Sequence, residues 1–244
     1  MANKKIIISG GGTGGHVFPA IAIADALRLQ LKEPDILFVG ATGRMEMEKV
    51  PEAGYSIIGL PVEGFRRKLT FANLNVALNL LKSLNLAGKL IRKFAPDVVV
   101  GVGGYASGPV LRKAAGMGIP TLIQEQNSYA GVTNRLLAKK AGKICVAYEG
   151  MEKYFPVDKL VIAGNPVRKE IRELKDIGDR DAARSAFGLE RNSTVLLILG
   201  GSLGARTINQ AVLEGIDLIR ESPVRVIWQC GKYYYKKARE SLGD

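Results

Sequence analysis

The sequence is poor in the residues that announce special chemistry or a special compartment. Its 244 residues include one histidine, one tryptophan and two cysteines. Cys145 in "KICVAY" and Cys230 in "VIWQCG" lie far apart in apolar, strand-like runs. Without metal-ligand spacing they read as buried free thiols, the usual state of cysteine in a reducing compartment, and no metal site is expected. Long apolar runs are also missing. The opening "MANKKIIISG" holds two lysines but only three successive isoleucines, too few for a signal peptide or a membrane span. The chain is therefore expected to start and stay in the cytoplasm. No low-complexity tract interrupts it, and its ten prolines are scattered.

What remains is an ordered globular composition, 47% apolar and 24% charged, long enough for one large domain or two smaller ones. The net charge of +12 is unevenly spread. Residues 1–163 carry 21 Lys/Arg against 12 Asp/Glu, residues 164–244 carry 14 against 11, and residues 63–113 alone carry nine against two. A local surplus of this kind points to an anionic partner. With no recognition helix and no interleaved aromatics, nucleic acid is not that partner.

Short β-branched runs alternate with helical patterns: "KIIIS", "DILFVG", "DVVVGV", "TLIQE", "KICVAY" and "KLVIAG" are each separated by helix-spaced segments. Continuous apolar strands joined by helices indicate an α/β doubly wound parallel sheet. The segment "VLLILGGSLGARTINQAV" repeats the plan of "KIIISGGGTGGHVFPAIA", with Gly10, Gly11 and Gly14 matched by Gly200, Gly201 and Gly204. Two such units predict two Rossmann-like domains in tandem, 1–163 and 164–244, joined near Pro166. One further helix, one strand and a basic tail follow the second unit, so the second domain is expected to be incomplete.

The first loop fits G-x-G-x-x-G as Gly10, Gly12 and Gly15, the pattern of a tight turn whose amides meet an anion at a helix N-terminus. The acid that a dinucleotide's ribose needs after the second strand is missing: "ATGRM" follows "DILFVG", and Asp35 precedes that strand. This argues against NAD or FAD. His16 falls in the predicted first helical turn, where a helix N-terminus disfavours imidazolium and leaves a nitrogen able to accept a proton. A lone histidine can equally be structural. Two more loops, "GVGGYASGP" with Tyr105 and Ser107 and "QEQNSYAGVTNR" with Glu125, Gln126 and Asn127, fall at strand ends. Three such loops describe a cleft for a phosphorylated or sugar-bearing ligand.

Taken in order, "GGGTGGHVFPAIAIADAL", "RMEMEKVPEAG", "PDVVVGVGGYASGP", "EQNSYAGVTNRLLA", "IAGNPVR" and "GGSLGARTIN" resemble the MurG family of bacterial peptidoglycan glycosyltransferases. The resemblance implies a GT-B fold and transfer, with inversion, of N-acetylglucosamine from UDP-N-acetylglucosamine to the 4-hydroxyl of a muramic acid sugar on undecaprenyl pyrophosphate. It implies no cofactor and no metal. By motif, Thr13, Gly14 and Gly15 would contact the donor's pyrophosphate or the acceptor, and His16 would be the general base. Asn127, Arg168 and Ser202 would contact the donor, and Tyr105, Glu125 and Gln126 would line the acceptor side. Many members have histidine where this chain has Gln124. Members also continue past this chain's last motif with a glutamate-bearing donor loop and a uracil pocket, so the resemblance implies a truncated chain that binds donor poorly and turns over little. Related readings are a diacylglycerol glycosyltransferase or a non-catalytic nucleotide-binding module at a membrane surface.

The basic surplus acquires a meaning here. "GFRRKLTFANLNVALNLLKSLNLAGKLIRKF" places Leu74, Ala77, Leu78 and Leu81 at helical spacing behind Arg66, Arg67 and Lys68. Such a stripe can pack on the sheet with a solvated basic rim. Alternatively, Leu69 and Phe71 in the exposed approach, with the surrounding cations, can rest on an anionic membrane, as a peripheral protein on the cytoplasmic face would.

Overall fold

The computed structural model describes residues 3–64, 72–173, 179–201 and 204–243, and within them the chain forms two compact units, Met1–Glu173 and Leu174–Asp244. Arg66, Arg67, Lys68, Leu69, Phe71 and Ser202 lie outside the described residues.

The first unit alternates strands and helices: β1 (Lys5–Ser9), α1 (Gly14–Gln30), β2 (Asp35–Ala41), α2 (Glu46–Glu52), β3 (Ser56–Leu60), α3 (Ala72–Phe94), β4 (Val98–Gly101), α4 (Ser107–Gly116), β5 (Thr121–Glu125), α5 (Val132–Leu137), β6 (Lys143–Val146), β7 (Leu160–Ile162) and the single turn α6 (Lys169–Arg172). The seven strands pair in parallel in the order β3-β2-β1-β4-β5-β6-β7. The successive isoleucines of β1 show why the strands read as unbroken apolar runs. Ile6 and Ile8 pack with α1 and α2 on one face, and Ile7 packs with α3 and α4 on the other. Each such side chain contributes about 1.5–3 kcal/mol by leaving water.

The unit runs past the expected join at 163/164 because later residues are tied to it. Asn165 Nδ2 donates to the Gln126 carbonyl at 3.2 Å, and the Arg168 guanidinium stacks 4.4 Å from the Phe18 ring centre.

Of the two readings of α3, packing of the leucine stripe on the sheet is not what is observed. The helix buries Val76, Ser83, Ala87 and Ile91, whereas Leu74, Leu78 and Leu81 lie on the opposite face, 64%, 48% and 63% exposed.

The second unit holds α7 (Arg180–Ala186), β8 (Val195–Leu199), α8 (Arg206–Glu214), α9 (Ile216–Glu221), β9 (Arg225–Gln229) and α10 (Tyr235–Leu242). β8 and β9 form a parallel pair. The glycine repeat is thus a structural one, with the same strand, loop and helix order. Helix α8 nevertheless begins two positions later than the matched α1, and Gly204 takes the left-handed conformation (φ +81°) where the corresponding Gly14 is already helical. Leu196, Leu197 and Leu199 of β8 remain exposed, so the described part of this unit covers its sheet only partly. Cys230 is buried and Cys145 half-buried, both as free thiols, and burial pushes the Cys145 thiol above its usual range.

One buried carboxylate fixes the loop after β1. Glu46, the first residue of α2, is 1% exposed, and its oxygens accept from the backbone N–H groups of Gly12 (2.8 Å) and Ala41 (2.9 Å). Two charge-assisted bonds at a helix N-terminus offset the cost of burying the charge. The side chain reaches the loop only because two neighbours lack a Cβ. A methyl group at Gly11 would fall on the carboxylate, and one at Gly40 would lie 2.5 Å from Glu46 Cγ. Glu46→Gln turns one acceptor into a donor facing an N–H, and is expected to destabilise the first unit by about 1–3 kcal/mol. Urea unfolding followed by far-UV circular dichroism measures this, since the single tryptophan, Trp228, reports the other unit. An unchanged midpoint would mean that the loop does not need the carboxylate.

Candidate functional site

The strand order reverses direction between β1 and β4, and the loops leaving the C-terminal ends of β1, β4 and β5 lie side by side there. In open α/β sheets this crevice is where ligands bind. The first two loops interlock through their backbones. A Cβ at Gly104 (φ +81°) would collide with the carbonyl of Gly11, and one at Gly10 would lie 2.8 Å from the carbonyl of Gly103. Only glycine allows so close an approach.

Thr13 is the N-cap of α1, with extended backbone (φ −142°, ψ 160°) and no capping bond from its side chain. Gly14 and Gly15 follow as the first helical residues, so their N–H groups precede any intrahelical partner and form an anion-binding end. Gly12 is different: its N–H is taken by Glu46. His16 sits in the same first turn, half-buried, with Nδ1 3.0 Å from Gln126 Oε1. Its ring lies against the β4 loop, where a Cβ at Gly103 would be 2.9 Å from Cε1 and 3.1 Å from Nδ1.

Of the residues expected on the acceptor side, Tyr105 is half exposed and its ring covers Gly64. Glu125 and Gln126 are buried, at 1% and 8% exposure. The Glu125 carboxylate accepts from the Asn127 backbone N–H (3.1 Å), Asn127 Nδ2 (3.0 Å), the Gly131 N–H (2.9 Å) and Asn134 Nδ2 (3.0 Å). It organises the loop from 125 to 134 from within, and Gln126 is turned onto His16. Asn127 is exposed, with its Nδ2 held by Glu125. Ser107 is spent on the Gly104 carbonyl at 3.0 Å. Arg168 lies beside α1, over Phe18, at the rim of a recess of about 650 Å³ that also takes in Asp25 and Arg28.

The structure therefore brings Thr13 to His16, Tyr105, Asn127 and Arg168 to the first unit's β1-to-β5 region. Glu46 and Asn134 organise the same loops without having been singled out in the sequence. Glu46 looks there like any first-turn acid of a surface helix, and its one signal is the pairing with Gly11 and Gly40. Among the described residues, no group of three or more His, Cys, Asp or Glu side chains could share a metal ion.

Residues 6–146 match the glycosyltransferase family 28 N-terminal domain, and residues 195–244 match the glycosyltransferase family 28 C-terminal domain. Relatives from Parabacteroides distasonis and Phocaeicola vulgatus are 58% and 60% identical over 242 residues, covering 99% of this chain but only 65% and 64% of their own lengths. Both bear the name "UDP-N-acetylglucosamine--N-acetylmuramyl-(pentapeptide) pyrophosphoryl-undecaprenol N-acetylglucosamine transferase". The crystal structure of Acinetobacter baumannii MurG is similar at a TM-score of 0.66 and 28% identity, over 99% of this chain and 64% of that one. A UDP-GlcNAc 2-epimerase from Neisseria meningitidis, at a TM-score of 0.62 and 16% identity over 98% of this chain and 69% of that one, shares the fold. With this domain match over more than half its length, the chain belongs to glycosyltransferase family 28.

Proposed function

We propose that this chain serves the transfer of N-acetylglucosamine from UDP-N-acetylglucosamine to the 4-hydroxyl of N-acetylmuramyl-(pentapeptide)-pyrophosphoryl-undecaprenol, with inversion at the sugar carbon. The product is the lipid-linked disaccharide precursor of peptidoglycan. The observation that carries this reading is the position of the only histidine, in the first turn of α1 between two glycine loops at the switch point. The names of the relatives at 58% and 60% identity supply the substrates.

In the proposed reaction the acceptor oxygen attacks the anomeric carbon and passes its proton to His16. The bond from that carbon to the diphosphate breaks, and its electron pair leaves with UDP. Charge then grows on the diphosphate, and the N–H groups of Gly14 and Gly15 with the Arg168 fork are suited to stabilise it. Asn127, and Ser202 outside the described residues, complete the donor contacts, and Tyr105 faces the acceptor. The reaction calls for no cofactor and no metal ion. The first unit is the acceptor and membrane domain, and the second is part of the donor domain.

The acceptor's lipid places the reaction at an anionic membrane, on the cytoplasmic face, with the protein peripheral to it. Among the described residues no helix is long and apolar enough to cross a membrane. The exposed Leu74, Leu78 and Leu81 of α3, flanked by Lys82 and Lys89, support surface attachment. An apolar groove of about 600 Å³ between α3, α4 and α5, lined by Leu80, Leu84, Pro109 and Leu136 and reaching Tyr105, supports a lipid-bearing acceptor.

In the protein at the full length of its relatives, His16→Ala is expected to lower transfer by about 100-fold or more. Radiolabelled sugar transfer to a lipid-linked muramyl acceptor measures it, and intact transfer would remove His16 as the general base. Changing Leu74, Leu78 and Leu81 together to serine is expected to weaken binding to phosphatidylglycerol vesicles by about tenfold or more, since each leucine half-buried in lipid contributes about 1 kcal/mol. Unchanged sedimentation with vesicles would remove α3 from the membrane contact.

A further inference from the structure

We infer that Gln126 is a positioning residue whose side-chain amide holds His16 in one tautomer, with the proton on Nδ1 and the lone pair on Nε2. The inference deepens the reading of His16 as proton acceptor, because it names the nitrogen that accepts.

The orientation of the Gln126 amide follows from its surroundings. Its Nε2 faces the carbonyl oxygen of Val102 at 2.9 Å, the carbonyl oxygen of Gln124 at 3.3 Å, and the side-chain Oε1 of Gln124. Two of these are backbone carbonyl oxygens, which can only accept, so this end must be the NH2 group. Turning the amide over would set oxygen against oxygen at both backbone carbonyls. The other end, Oε1, is then the atom 3.0 Å from His16 Nδ1. An amide oxygen only accepts, so Nδ1 must donate. A neutral imidazole carries one N–H, and Nε2 is left bare.

The arrangement is held from several sides. Gln126 is 8% exposed, so water competes little for its oxygen. Its backbone carbonyl is tied by Asn165 Nδ2 at 3.2 Å, and the imidazole edge is backed by Gly103. The fixing groups come from the ends of β4 and β5, and the histidine comes from the helix after β1, so the strand order itself assembles the pair. The choice of an amide is also chemically distinct. A carboxylate at this position would orient the ring equally well but would stabilise imidazolium before any substrate arrived. The amide sets the tautomer without adding charge.

Because the chain has one histidine, labelling it with 15N-histidine yields a single imidazole spin system. Long-range 15N–1H correlation spectra, recorded as pH is raised until the ring signals stop changing, report which nitrogen bears the proton. The expected result is a protonated Nδ1 and an unprotonated Nε2 in this chain, and loss of that preference in Gln126→Met, which keeps the side chain's length without its polar end. A protonated Nε2 in the unaltered chain would overturn the inference, and so would a preference that survives in Gln126→Met. If that variant does not fold, the spectrum of the unaltered chain still decides the tautomer. The spectra need no substrate, so their outcome is separate from the transfer assay on His16→Ala. A correct tautomer with transfer intact in that variant would sink the base and leave the Gln126 contact standing.

Discussion

The candidate site depends on the backbone of the β1 loop lying directly against the backbone of the β4 loop, with Gly11 touching Gly104 and Gly10 touching Gly103. Side chains at Gly10 or Gly104 would hold the loops apart, and the helix that begins with Gly14 would no longer present its first turn beside the end of β5. The loop is pressed into that contact from below by the Glu46 carboxylate, which takes the Gly12 N–H out of service and leaves the amides of the helix start to meet an anion. A glycine-rich sequence is usually read as a surface for ligands. Here part of it is a surface for the protein's own backbone and for one buried acid, which leaves Thr13 to Gly15 as the stretch with free helix-start amides.

Much of the fold was legible in the sequence because the physical signal is strong and local. Ile6, Ile7 and Ile8 in succession demand cover on both faces, and such runs separated by helical spacing leave few alternatives to a parallel sheet. The glycine repeat at 200–204 gave the second unit for the same reason. The placement of loops at strand ends also followed, since a parallel sheet puts all its exits on one edge.

Side-chain direction was less legible. Glu125 and Gln126 were expected to line the acceptor side, yet both are turned inward, one saturated by four N–H donors and the other bound to His16. Nothing in "QEQN" distinguishes a polar residue that meets substrate from one that meets Val102, because that depends on a loop 24 residues earlier in the chain. The α3 leucines failed in the opposite sense. Helical spacing marks a face but does not say which face the sheet takes, and here Val76, Ala87 and Ile91 outcompete Leu74, Leu78 and Leu81 for it. The stripe left outside is then an exposed apolar face, on which the proposed membrane contact rests.

These features describe one end of a sheet that positions the histidine through an uncharged amide, beside the free N–H groups at the start of α1. The central claim is that this histidine meets the hydroxyl that attacks. A crystal structure of the protein at the full length of its relatives, with a muramyl acceptor analogue and UDP bound, tests it most directly. The account predicts the acceptor's 4-hydroxyl within about 2.6–3.2 Å of His16 Nε2, with the Gln126 contact to Nδ1 retained. An acceptor sugar seated with that hydroxyl out of reach of His16, and another side chain against it, would contradict the account.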